Sequence, residues 1–419
     1  MTTSAASART DAQSEQADLT LLKGSGRTAM VEAALTGSGQ FDPEADSGLQ
    51  VDVHQVHHRP GAGVSVGYRV RYTSARGQVE DYVVASTAPQ AGRGEGVAVL
   101  NDGVREVRMW RRAFDPALPG LRSASDAATV ASWLQEAGFE LTAPVRLRSV
   151  SYRPTRRAVL RASSGDLRVF IKVLPHSKSE ELALRHQLLQ EAGVPAPRLL
   201  ARPLPGVCVL SDARGRPLAQ AIAGVGERPE DLPAPSELVA WLDRLPTQTL
   251  ELRRRPSWSE RLDFHTAAAA AALPERRDEV VDLGTHLADA LTSVREEEEV
   301  PTHGDYYEAN VFTSGGRVSE VIDIDSLGPG RRSDDLATML GHVAVLPDLA
   351  PDVYVDTPGV LHRMRENFET RVPAHTLRLR TAAVVLSLVA GAGSQQGQAR
   401  LRVAGEWARA AAQTRRGRR

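Results

Sequence analysis

Residues 303–312 read HGDYYEANVF. The stretch is a polar loop carrying His303, Asp305 and Asn310, and it runs straight into an apolar strand. Shortly after it, EVIDIDSLGPGRRSDD adds Asp323, Asp325 and Asp335. So many carboxylates beside apolar flanks describe either a wet acidic loop or a site that holds metal ions and phosphate. Asp and Asn alone are common turn and cap residues. Asp323 and Asp325 weigh against that bland reading. On a β-hairpin they would flank Ile324 and point to one face, and burying both without a cation is costly.

A phosphoryl donor brings a large negative charge. Transfer needs Mg2+ to neutralise it, a lysine on the phosphates and a carboxylate to orient the acceptor hydroxyl. Asp305 and Asn310, five positions apart, suit that division: the Asp faces the acceptor while the Asn turns back to a metal. Asp323 is the natural second metal ligand. For the phosphates the chain offers only Lys23, Lys172 and Lys178 among 51 basic residues. Lys172 ends the strand VFIKV. An edge-strand gatekeeper there could equally be arginine, which this chain otherwise prefers. The helix after it offers Glu180 or Glu181 to hold the ammonium.

The elements that must position these groups can be read from pattern. Residues 1–17 are rich in Ser, Ala, Thr and Gln and are expected to be disordered. VDVHQVHHRP, VSVGYRVRYTS and VEDYVVAST read as strands, and Asp102-Gly103 marks a hairpin. SASDAATVASWLQEAGF predicts a helix capped by Ser123 or Ser125. A second block, VRLRSVSYRPTRRAVLRASSGDLRVFIKVLP, gives three strands joined by RPTRR and SSGD. The two blocks align through a His/Tyr-Arg-Pro turn and a later Gly turn, the pattern of an internal duplication in which Val84 or Ala85 stands where the second block has Lys172. SKSEELALRHQLLQEAGV predicts a helix closed by Gly193. After Pro217 the pattern turns helical, interrupted by the hairpin ANVFTSGGRVSEVIDID turning at Gly315-Gly316. REEEEV reads as a solvated helix end, and TAAVVLSLVAGAG as a buried helix too short to span a bilayer.

With 419 residues, 42% apolar and 25% charged, two or three compact units are expected. A net charge of −1 gives no bulk electrostatic case for nucleic acid or membrane, and the closing TRRGRR is too short to make one. Cys208 is the single cysteine, so no intrachain disulfide is available and a reducing compartment suits the chain. The opening MTTSAASARTDAQSEQ has no apolar core of a signal peptide. A cytoplasmic location is the expectation.

The ordered set His303-Gly304-Asp305, Asn310, Ile322-Asp323 and Asp335-Leu336-Ala337, with Lys172 upstream and GVPAP after its helix, resembles the aminoglycoside phosphotransferase and choline kinase family. The likeness covers roughly residues 145–410. It implies an α+β, bilobal protein-kinase-like fold, with a small β-rich N-lobe over 144–215 including the hinge and a mostly helical C-lobe over 216–412. A β-rich amino-terminal module over 18–143, a degenerate copy of the N-lobe, precedes it, as in some actinobacterial sugar-kinase-like members, and either caps the site or binds a partner. Residues 413–419 form a basic tail. By the same likeness Asp305 is the catalytic base, Asn310 and Asp323 bind Mg2+, and Lys172 contacts the phosphates of ATP, with GTP the alternative nucleotide. Glu181, preferred over Glu180, pairs with Lys172. Backbone near Leu210 and Asp212 receives the adenine. His303 braces the loop, Asp335 steadies it from the next helix, and Asp325 is a further metal or substrate contact. Tyr306 and Tyr307 either line the acceptor pocket or pack. The loop RPTRR has no glycine, so Thr155 and arginines would hold phosphate there. The function implied is transfer of the γ-phosphoryl group to a hydroxyl of a small molecule: an aminoglycoside, a sugar or an amino alcohol. The competing readings are a pseudokinase-like binding or regulatory protein, and a metal-dependent hydrolase using His303, Asp305, Asp323 and Asp325.

Overall fold

The computed structural model of the chain describes residues 14–58, 63–88, 92, 94–103 and 105–416. It forms two units, residues 1–180 with 199–211, and residues 181–198 with 212–419. Each is described in turn.

In the first unit a helix over residues 14–23 (α1) and Arg27–Gly37 (α2) precede five strands, Ser47–His58 (β1), Val64–Ser74 (β2), Gly77–Ser86 (β3), Val97–Asn101 (β4) and Glu106–Arg111 (β5). They form an antiparallel sheet in the order β1-β2-β3-β5-β4. Residues 14–17 are helical, not disordered, because they are tied down. The Glu15 carboxylate accepts the Gly63 amide at 3.0 Å and meets His58 Nε2 at 2.9 Å. The rest of that stretch, 1–13, lies outside the described residues, as does the Arg-Pro half of the first block's turn. Strand alternation sends Val64, Val66, Tyr68, Val70, Val83 and Ala85 toward Leu22, Val31 and Leu35 of the helices.

Leu121–Ala124 (α3) and Ala127–Glu136 (α4) follow. A second sheet comes next: Arg146–Arg153 (β6), Arg157–Ser164 (β7), Leu167–Val173 (β8), the helix His176–Glu191 (α5), Leu199–Ala201 (β9) and Val207–Ser211 (β10). Its order is β6-β7-β8-β10-β9, the pattern of the first sheet repeated. A helix lies between the third and fourth strands only in the second sheet; the described residues at the equivalent place in the first form none. The single helix expected after Ser123 is broken in two. Asp126, not a serine, caps α4, its carboxylate accepting the Thr129 amide at 2.7 Å. One core joins the two sheets. Val84 and Trp110 of the first pack with Leu121, Val130 and Leu134 of the helices and with Leu160, Val169, Ile171 and Val173 of the second.

The second unit is mostly helical: Leu218–Ala223 (α6), Pro235–Asp243 (α7), Leu262–Ala272 (α8), Arg277–Thr292 (α9), Arg332–Ala344 (α10), Leu346–Leu349 (α11), Thr357–Phe368 (α12), Ala374–Leu388 (α13) and Ser394–Arg416 (α14). α13 is the buried helix the apolar run predicted, with Leu379 through Leu386 all inside. No helix among the described residues is long and apolar enough to cross a membrane. Two departures concern charged runs. α9 ends at Thr292, so REEEEV is not a helix end; its Glu297 turns inward, pairing with Arg380 at 3.2 Å and accepting the Ser333 hydroxyl at 2.7 Å. The start of the basic tail, residues 413–416, continues α14, and 417–419 lie outside the described residues.

Short strands interrupt the helices: Arg216–Pro217 (β11), Val300–Thr302 (β12), Val311–Ser314 (β13), Arg317–Val321 (β14) and Gly328–Gly330 (β15). β13 and β14 form the expected hairpin over Gly315-Gly316. β12 pairs antiparallel with β15, Thr302 opposite Gly328. The polar loop leaving β12 and the acidic loop entering β15 are thereby held side by side.

Candidate active site

The loop after β12 is built around one carboxylate. Asp335, in the first turn of α10 and fully buried, accepts the His303 amide on Oδ2 and the Gly304 amide on Oδ1, each at 2.8 Å. Burial pushes its carboxyl up to about 6, against the pull of Arg332 and the two amides. Gly304 has φ +77, and a Cβ there would sit 2.8 Å from the Ser326 carbonyl oxygen. Only glycine fits both constraints. His303 then joins the two loops. The Asp305 amide donates to its Nδ1 at 3.2 Å, so the ring proton resides on Nε2, which faces the Ile322 carbonyl at 3.0 Å. Both ring nitrogens are engaged in hydrogen bonds that tie the two loops together. The Asn310 side chain donates its Nδ2 to the Asp305 carbonyl at 2.9 Å, and its backbone carbonyl accepts the Ile322 amide at 2.9 Å. Asp305, Asn310 and Asp323 are thus knit into one small frame.

Asp323 departs from the hairpin geometry expected of it. β14 stops at Val321, Asp323 adopts the left-handed conformation (φ 59, ψ 48), and Asp325 lies in a single 3-10 turn, Ile324–Ser326. The two aspartates therefore do not share a strand face, and the argument from alternation does not apply to them. A non-glycine residue at positive φ stores strain that its surroundings must impose. Asp325 is close enough to Arg185 of α5 to raise the pKa of that guanidinium, though burial, the larger effect, lowers it. Arg185 is almost wholly buried, donates Nε to the Leu327 carbonyl at 3.0 Å and stands 3.7 Å from Glu181. Glu181 is thereby linked to the acidic loop through one arginine. Glu180 instead pairs with Arg202 and lies 3.7 Å from His176.

The remaining predicted residues belong to the second sheet and its exit. Lys172 is opposite Val159 and Cys208, on the face away from Ile171 and Val173. Leu210 is buried mid-sheet, paired with both Phe170 and Leu199. Asp212 follows the last paired residue, Ser211, where the backbone leaves the sheet. In the RPTRR turn Thr155 has φ +60 and donates its hydroxyl to the Pro154 carbonyl at 2.7 Å, not outward.

Beside Asp305, the sequence leaves Tyr306 and Tyr307 either lining the acceptor pocket or packing, and Glu308 goes unread. Tyr306 packs, fully buried, its ring stacked on Trp241 at 5.8 Å. Trp241 in turn donates to the Pro195 carbonyl at 2.9 Å, which gives GVPAP a structural use. Glu308 is buried with Oε2 unpartnered, and burial, with a smaller push from Asp305, raises its carboxyl to about 7. The Tyr307 ring lies tilted against half-buried His342, centroids 4.3 Å apart, and desolvation lowers that imidazole to about 4, hence neutral. For Glu308 a carboxylate three positions from an Asp was the available signal, but nothing in its spacing marked it as buried.

Asn310 and Asp323 offer hard oxygen donors, with the Asn310 nitrogen already given to Asp305. Mg2+ takes one or two such protein ligands together with phosphate and water, so the donor set fits that ion. Among the described residues no group of three or more His, Cys, Asp or Glu is gathered to hold a metal by itself. With His303 committed on both nitrogens, the four-residue hydrolase set does not form.

A family profile described as "Phosphotransferase enzyme family" matches residues 153–366, a little over half of the chain. No curated protein matches significantly. Among solved structures, a thermostable mutant of aminoglycoside phosphotransferase APH(4)-Ia with AMP-PNP and hygromycin B is 15% identical, covering 69% of this chain and 99% of that one, at a TM-score of 0.45. Spectinomycin phosphotransferase APH(9)-Ia with ADP and spectinomycin is 14% identical, covering 68% and 94%, at 0.42. Aminoglycoside phosphotransferase APH(3'')-Id from Streptomyces rimosus is 18% identical, covering 62% and 98%, at 0.39.

Proposed function

The chain belongs to the phosphotransferase enzyme family, and on that premise we propose that it is an ATP-dependent kinase transferring the γ-phosphoryl group to a hydroxyl of a sugar or aminoglycoside-like small molecule. Its α+β, protein-kinase-like fold and its standing as a small-molecule phosphotransferase follow from membership. The donor, the ion and the residue roles are our reading.

One observation carries it: the Asp335 cradle and the His303 bridge hold the loop of Asp305 and Asn310 in register with the Ile322–Asp323 backbone. Asp305 orients the acceptor hydroxyl and takes its proton as the oxygen attacks phosphorus. His303, fixed as the Nε2–H tautomer, keeps that loop in register with the Ile322–Asp323 backbone. Asn310 and Asp323 would hold Mg2+, which when bound neutralises the phosphate charge. Lys172 contacts the phosphates, with Glu181 steadied by Arg185 as its partner, and backbone at Asp212, more than at paired Leu210, receives the adenine.

The test is phosphate transfer from ATP and Mg2+ to a panel of aminoglycosides, sugars and amino alcohols. Transfer to at least one is expected, and Asp305→Ala should lower its turnover by roughly 10²–10⁴-fold while leaving AMP-PNP binding intact. Full turnover in the variant would remove Asp305 from its role, and release of phosphate only to water would replace the kinase by a hydrolase.

A further inference from the structure

The turn RPTRR between β6 and β7 has no glycine, and it is not left to find its own conformation. Its anchor comes from outside the second sheet. Asp115, four residues beyond the last strand of the first sheet and 2% exposed, accepts the Thr155 amide on Oδ2 at 2.8 Å. The same oxygen accepts the Tyr152 hydroxyl at 2.6 Å, and Oδ1 accepts the Ala117 amide at 3.0 Å. Tyr152 in turn receives the Trp110 indole N–H at 3.0 Å. Trp110 and Tyr152 both lie in the core that joins the sheets. Burying a carboxylate is costly unless hydrogen bonds answer it, and here three donors do so, one of them the turn itself. Thr155 sits at φ +60, a conformation a β-branched residue keeps only when its surroundings impose it.

The first sheet touches the turn again through its own first strand. The imidazole of His57 on β1 is lowered by burial and then by Arg153 and Arg156, so both guanidiniums lie within electrostatic reach of that strand. The turn therefore gathers Arg153, Arg156 and Arg157 about a backbone locked from the amino-terminal side. A glycine-rich loop closes over phosphate by being flexible. This one is prebuilt, its ordering entropy already spent on folding.

We propose that Asp115 is a positioning residue that presets the β6–β7 turn for the phosphates of the nucleotide, so that the amino-terminal sheet acts as a fixed clamp on the donor site. The inference rests on the kinase reading. It makes the first 120 residues part of nucleotide binding.

The experiment compares the full-length protein with Asp115→Asn and Tyr152→Phe. The first replaces the carboxylate by an amide whose one oxygen cannot answer Thr155, Tyr152 and Ala117 together, so at least one of the three donors is left facing an NH2 group. The second weakens the same buried network without touching the turn. Equilibrium binding of AMP-PNP with Mg2+, the KM for ATP, the KM for the acceptor, thermal stability and hydrogen exchange at the Thr155 amide are measured on each. Asp115→Asn should raise the AMP-PNP Kd and the KM for ATP by roughly tenfold, speed exchange at Thr155 and leave the acceptor KM unchanged. Tyr152→Phe should lose comparable thermal stability with a much smaller change in nucleotide affinity. Equal affinity changes in the two variants, in step with stability, would reduce Asp115 to a structural residue. Unchanged affinity in Asp115→Asn would overturn the clamp alone, and failure of the unaltered protein to bind AMP-PNP would overturn the kinase reading and the clamp with it.

Discussion

Glu308 stands three positions from Asp305 and carries a buried carboxyl with one oxygen unpartnered. Folded, it titrates at about 7, raised first by burial and then by Asp305; unfolded, it returns to the ordinary value near 4.5. Over that window the folded chain keeps a proton the unfolded chain has lost. Its contribution is therefore fully present below about pH 4.5 and is lost as pH rises through 7. Glu308→Gln removes the dependence. The variant should gain on the parent protein between pH 5 and 8, by on the order of 2–3 kcal/mol, in thermal unfolding followed across that range. Any fixed penalty from the buried amide shifts the level and not the slope, so parallel curves would mean that Glu308 titrates ordinarily. Asp305, Asn310 and Asp323 could be nominated from residue type and spacing, and His303 and Asp335 from the family likeness, because both signals are written in the order of the chain. Glu308 and Arg185 could not, since burial depends on neighbours distant in sequence: α5 brings Arg185 to Leu327, 142 positions away.

At the scale of elements, periodicity placed the hairpin over Gly315-Gly316, the three strands of the second block and the buried α13. It failed where one backbone torsion decides. Alternation put Asp323 and Asp325 on one strand face, but the left-handed turn at Asp323 ends the strand first. It failed again at REEEEV, where composition suggested solvent and Arg380 supplied an inward partner for Glu297. The loop between β12 and β15 depends on such a torsion at Gly304. An added Cβ would meet the Ser326 carbonyl oxygen at 2.8 Å and its Cβ at 2.9 Å. Gly304→Ala should therefore cost more than about 1 kcal/mol and part the two loops that His303 bridges. Turnover should fall far more than stability explains, as read from kcat beside the unfolding midpoint. Retained kcat would show that the loops need not stay in register.

Across the whole molecule, the two blocks that aligned weakly in sequence fold into sheets of one strand order, which supports reading the first as a duplicate that lost its helix and its lysine. Sequence alone suggested a separable module, because the boundary near residue 143 falls between two strand-rich blocks. Packing says otherwise. The side of the second sheet that carries Val169, Ile171, Val173 and Val209 is covered by α3, α4 and Trp110 of the preceding segment. Trp110 is 2% exposed and also donates to Tyr152. Trp110→Ala should destabilise the first unit by about 3–5 kcal/mol and remove the donor to the Tyr152 hydroxyl, leaving that hydroxyl its bond to Asp115. A chain begun at residue 144 would present that apolar face to water, a patch of the kind that drives aggregation. It should be insoluble or bind a hydrophobic dye strongly, and supplying residues 14–143 as a separate polypeptide should restore solubility. A soluble, dye-silent chain from 144 onward would show that the second sheet folds without the first, and the amino-terminal block would then be an appendage and not half of a shared core.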